Sequence, residues 1–73
     1  MDTIALFVQI PSREIAFLTF VLDSYEGVAT IRTVDPEKGI VELMVSPHQK
    51  EEIKEILSSL GDEFPIRYLT PLN

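Results

Sequence analysis

Residues 28–45, VATIRTVDPEKGIVELMV, decide the fold. Two β-rich runs, 28–34 and 40–45, flank DPEKG at 35–39. Asp-Pro starts a turn and Gly39 can take a positive φ, so the segment reads as a hairpin. With Val34 opposite Ile40, the partners run Thr33 with Val41, Ile31 with Leu43 and Ala29 with Val45 on one face. Arg32 with Glu42 and Thr30 with Met44 take the other. This register gives an apolar layer on one side and an opposite-charge pair on the other, worth roughly 0.2–1 kcal/mol. A slip of one residue would exchange the two faces.

The flanking segments follow the same reasoning. TIALFVQI, residues 3–10, alternates as a strand, with Ile4, Leu6, Val8 and Ile10 on one face. Pro11 ends it and Ser12 is placed to cap a helix running from about Arg13 to Ser24. On a helical wheel Ile15, Leu18, Val21, Leu22 and Tyr25 form one stripe, with Phe17 at its edge and Phe20 on the far side. Gly27 follows where the chain must leave the helix. Beyond the hairpin, Ser46, Pro47 and Gln49 have the spacing of a helix start with a capping box. Ile53, Ile56, Leu57 and Leu60 then make a narrow apolar stripe that ends before Gly61. FPIRYL, residues 64–69, reads as a last strand, and Pro65 assigns it to a sheet edge.

Strand, helix, strand, strand, helix, strand is the order of a split βαβ sandwich. The expected fold is α+β: one ferredoxin-like βαββαβ domain over residues 1–73. Right-handed crossovers place the antiparallel strands in the order 4-1-3-2, with both helices on one face. The other face is left open. It is expected to show Ala5, Phe7 and Gln9, then Val28, Thr30, Arg32 and Val34, then Ile40, Glu42 and Met44, with Arg67 at its margin.

Composition narrows the function. At 73 residues the chain is near the lower limit for a self-sufficient core, and without cysteine it has no disulfide or thiolate metal site. Its hydrophobic share is 45% and its mean hydropathy is +0.16, high for so small a domain, which favours association with further copies of itself. The net charge of −6 disfavours a phosphate backbone or an anionic membrane as partner. The N-terminal Met-Asp-Thr has no basic leader, and no apolar run approaches a membrane span of about 20 residues, so a cytoplasmic setting is expected.

No catalytic constellation emerges. His48 is the single histidine and reads as a solvated residue in the first turn of the second helix. Glu51, Glu52, Glu55, Asp62 and Glu63 read as a solvated helix face with lysine neighbours rather than a metal site. The glycines are Gly27, Gly39 and Gly61, each at a turn or cap, so no phosphate loop can be written. Arg13 beside a helix start could hold an anion, but Glu14 adjoins it. Phe7 stands where a sheet aromatic could stack on RNA, but the third strand offers no aromatic outward and the charge is adverse. No enzymatic activity and no cofactor are expected. The candidate residues are those of an interface: Phe7, Ile40 and Met44 on the open face, with Arg32 and Glu42 as a cross-strand pair. Phe20 on the first helix is the aromatic that a lone chain explains least.

The run from Ile15 to Pro47 carries a resemblance. The apolar helix ending in Tyr25-Glu26-Gly27, the hairpin entry Arg32-Thr33-Val34-Asp35-Pro36 and the strand from Ile40 to Pro47 resemble a family of short, uncharacterised bacterial proteins known as a domain of unknown function. The motifs are structural, so the resemblance implies a fold and no activity. A looser likeness is to ACT domains, which share the element order and often bind amino acids. Their ligand loop carries a glycine, whereas Ile10-Pro11-Ser12-Arg13-Glu14 has none, and no ligand residue is carried over. The expected function is therefore a small non-catalytic binding or regulatory module acting as a homo-oligomer. The alternatives are an ACT-like amino-acid sensor with ligand at the subunit interface and, behind it, a small enzyme.

Overall fold

The computed structural model describes residues 3–25 and 27–70. Met1, Asp2 and Glu26, which enter the sequence reading, lie outside them. Six elements follow one another: β1 (Ile4–Gln9), α1 (Ile15–Ser24), β2 (Ala29–Asp35), β3 (Ile40–Val45), α2 (Lys50–Leu60) and β4 (Arg67–Tyr68). Short 3-10 turns at Ser12–Glu14 and Pro47–Gln49 lead into the helices. The fold is α+β, with a four-stranded antiparallel sheet in the order β2-β3-β1-β4. This is the expected 4-1-3-2 order read from the opposite edge.

One core holds the layers together. Leu6, Val8 and Ile10 of the first strand meet Val41, Leu43 and Val45 of β3. Leu18 and Leu22 of α1, and Ile53, Ile56, Leu57 and Leu60 of α2, cover them. Both helices thus lie on the same face of the sheet. The apolar stripe of α2 is buried as its spacing predicts, and its charged residues Glu51, Glu52 and Glu55 stay exposed.

The hairpin register holds from Ala29 opposite Val45 to Thr33 opposite Val41, and then shifts. Ile40 pairs with Asp35, not with Val34, which becomes the extra residue of a bulge. The cause is the turn. Asp35 Oδ1 accepts the backbone N–H groups of Glu37 and Lys38, both at 3.1 Å, which draws Asp35 into the turn's first position.

Four other expectations need correction. Val28 is in the core, not on the open face. Gly27 turns the chain at φ 77°, Val28 N–H bonds to Tyr25 O at 3.1 Å, and alternation begins only where the ladder does, at Ala29. Ser12 does not cap α1. Its hydroxyl donates to Glu37 O at 3.0 Å, and Pro11 precedes the turn. The Ser46 side chain makes no capping bond, so the capping box is absent; its carbonyl accepts the Gln49 N–H at 2.9 Å instead. The last strand is two residues, not six. Phe64 N–H is still bonded to Leu60 O, its ring enters the core, and Pro65 has no N–H to give, so pairing starts at Arg67.

Candidate functional site

The face of the sheet away from the helices is built in three rows across the strands. Thr30, Met44 and Ala5 form one row. Arg32, Glu42 and Phe7 form the next, and Asp35, Ile40, Gln9 and Arg67 the third. The structure therefore brings five of the six predicted interface residues together: Phe7, Ile40, Met44, Arg32 and Glu42. Phe20 is separate. It is 69% exposed on α1, on the outside of the helix layer, and cannot share a surface with the other five.

Phe7, Ile40, Met44 and Ala5 are half-buried rather than bare. Their neighbours in the rows and along the strands cover part of each side chain, and among the described residues no second layer lies above them. Arg32 Nη2 lies 2.6 Å from Glu42 Oε1, and Arg32 Nε donates to the same oxygen at 3.1 Å. The arginine side chain remains 72% exposed while the carboxylate is 13% exposed. Arg32 thus shields Glu42 from water. Its charge is answered within the chain, so it is not a ready hook for an anion.

Leu69 is the interface candidate that the sequence reading missed. Its N–H bonds to Phe7 O at 2.8 Å, and by alternation from Arg67 its side chain, 42% exposed, joins Phe7 on the open face. The same alternation in FPIRYL was the available signal. Phe7 is further fixed from this edge, since its N–H donates to Thr70 Oγ1 at 3.1 Å.

The helix layer offers less. Phe17 packs edge-on against Phe64, ring centres 6.4 Å apart, so it closes the core as well as facing solvent. A groove of about 280 Å³ runs between α1 and α2, lined by Val21, Tyr25, Ile56 and Leu60 with Glu52 and Glu55. His48 is exposed, and Arg13 lies 3.7 Å from Glu14. Glu51 faces Lys54 at 3.6 Å. Among the described residues, no three acidic or histidine side chains converge to hold a metal ion. Nor, among them, is any helix long and apolar enough to cross a membrane.

Residues 8–63, more than half of the chain, match the family described as domain of unknown function DUF4911. The chain belongs to this family. No curated protein and no solved structure matches it. The part matching DUF4911 contains the hairpin, both helices and the end of β1, and so all of the open-face rows except Ala5, Phe7 and Arg67. Phe7 lies one residue before the match begins.

Proposed function

We propose that this DUF4911 protein is a small, non-catalytic binding or regulatory module that works in the cytoplasm as a homo-oligomer. Its copies meet through the open face of the sheet. We read its architecture as a ferredoxin-like sandwich, a fold with one helical layer and one free sheet face.

The observation that supports this reading is the charge balance of that face. Asp35 and Glu42 are matched by Arg32 and Arg67, so the rows sum to zero on a chain of net charge −6. The excess negative charge lies elsewhere, much of it on α2 and the turn after it: Glu51, Glu52, Glu55, Asp62 and Glu63 against Lys50 and Lys54. Two copies meeting helix to helix would repel. Two copies meeting through the open sheets would not, and Phe7, Met44, Ile40 and Leu69 would lose water.

Size sets the strength. Three strands of six or seven residues and a two-residue edge strand span at most about 20 Å by about 20 Å, so the face is no more than about half of a standard interface per partner. A concentration-dependent dimer is expected rather than a permanent one. Sedimentation of the native chain from micromolar to near-millimolar concentration tests this. The wild type should shift from monomer mass to dimer mass, and Met44→Glu should stay monomeric at every concentration. If Met44→Glu leaves both the mass and the melting temperature as they were, the open face is not the interface. The alternative, an ACT-like amino-acid sensor with ligand between copies, predicts instead a mass shift that occurs only when amino acids are added.

A further inference from the structure

A second depression lies where the end of β1, the β2–β3 turn and the run before β4 come together. Its volume is about 330 Å³. Ile10, Pro11, Pro65 and Ile66 make its apolar wall, and Lys38 and Arg67 border it. Two of the six cations of an acidic chain therefore flank one small apolar hollow. Among the described residues neither takes part in an ion pair, whereas Arg13, Arg32 and Lys54 do.

The hollow is held in shape by hydrogen bonds to the backbone of the turn. Ile10 N–H donates to Gly39 O at 2.9 Å, and Gln9 Nε2 donates to Lys38 O at 2.9 Å. Ser12 Oγ donates to Glu37 O at 3.0 Å. The turn bearing Lys38 is thus laced onto the end of β1 by three bonds. Gly39 sits at φ 74°, and a Cβ there would collide with the Ile10 carbonyl, so the approach of the two segments requires glycine. Arg67 is fixed from the other side by its pairing with Gln9. Two proline rings stiffen the wall. The two cations are exposed, but the Cα positions from which they reach are fixed, which lowers the ordering cost of closing on a ligand.

We infer that this hollow binds a small organic carboxylate with an apolar body. The carboxylate sits between the Lys38 ammonium and the Arg67 guanidinium, donors that match it in charge and geometry. The body lies on Pro11, Pro65 and the two isoleucines, a mostly apolar wall with a few polar groups to orient the ligand. A bare anion would use only the cations, and a neutral apolar molecule only the wall. The inference goes beyond the oligomer and needs a single chain.

Phenylacetate, phenylacetamide and inorganic phosphate, each titrated into 15N-labelled protein at low ionic strength, separate these cases. Phenylacetate should give saturable shifts at the amides of Gln9, Lys38 and Arg67. The exposed cations limit the gain, so the amide and phosphate should each bind about fivefold more weakly, and Lys38→Gln or Arg67→Gln should weaken phenylacetate about threefold. The melting temperature of both variants should stay near that of the wild type. Absence of saturation, equal binding of acid and amide, equal binding of phosphate, or shifts centred elsewhere would each overturn the inference. The Met44→Glu chain is titrated in parallel. Below the concentration at which the wild type dimerises it should bind phenylacetate as the wild type does, so failure of the dimer and failure of the hollow are read separately.

Discussion

Strand β3 presents two unlike surfaces on one backbone. Val41, Leu43 and Val45 are fully enclosed beneath the helices. Ile40, Glu42 and Met44, their immediate neighbours in sequence, look out from the other side and are half-buried. Alternation alone makes this division. What differs is the cover: two helices on one side and, among the described residues, only the adjoining strands on the other, with the Arg32 side chain laid against Glu42. A residue on the covered side contributes to stability in any state of assembly. A residue on the open side contributes fully only when another surface is brought to it.

The largest expected effect tests that division directly. Leu43→Ala should destabilise the monomer by about 2–5 kcal/mol, the cost of an enclosed cavity. For a chain whose total stability is on the order of 4–11 kcal/mol, this is a large fraction. Met44→Ala, one residue away, should cost less than about 1.5 kcal/mol in dilute solution. Urea denaturation at low micromolar concentration measures both. Equal costs would mean that the open face is already covered under those conditions. A Met44→Ala cost that grows with protein concentration would place the second copy on that face.

The two surfaces were not equally legible in the sequence. The covered side follows from period-two and helical patterning: Leu6, Val8, Leu43 and the α2 stripe were assignable from the residues alone, because burial by a helix demands an uninterrupted apolar set. The strand ends were less legible, because they are set by competing backbone bonds. Asp35 enters its own turn and displaces Val34; Gly27 swings Val28 into the core; the end of α2 holds Phe64 out of the ladder. Each of these choices depends on a hydrogen bond whose partner is known only once the chain is folded. The open face was legible as a set of residues but not as a surface. Its side chains could be named, yet their half-burial depends on how neighbours lean, and Leu69 joins them only through a bond to Phe7 O. The hollow at the end of β1 was less legible still, since it gathers Pro11, Lys38 and Pro65 from three separated segments.

A smaller effect sharpens the comparison on the open side. Arg32 and Glu42 meet on a surface that water still reaches, so their coupling should be modest. A double-mutant cycle of Arg32→Ala and Glu42→Ala in the monomeric Met44→Glu background should give about 0.2–1 kcal/mol. Repeating the cycle at high salt should reduce it. In the wild type at concentrations where the dimer forms, the pair loses its water and the coupling should rise. A coupling that is the same in both backgrounds at all concentrations would show that no second surface approaches the pair.

The smallest effect lies at the margin between the two sides. Tyr68 pairs with Val8 at the sheet edge, on the helix side, and is only partly covered. Burial pushes its phenol above the ordinary value of 10.0, because the tyrosinate would lose hydration. The folded chain therefore gives up this proton at higher pH than the unfolded chain does. The stabilisation linked to the neutral phenol is complete below pH 10.0 and is lost as the pH rises from there through the folded value. Tyr68→Phe removes this titration and leaves the ring. The urea midpoint of the wild type should thus fall more between pH 8 and pH 11 than that of Tyr68→Phe, with the alkaline titration of the lysines common to both. Parallel midpoints would show that the edge at Tyr68 is as wet as the open face. A difference larger than that of a half-exposed group would mean that this edge belongs, energetically, to the covered side.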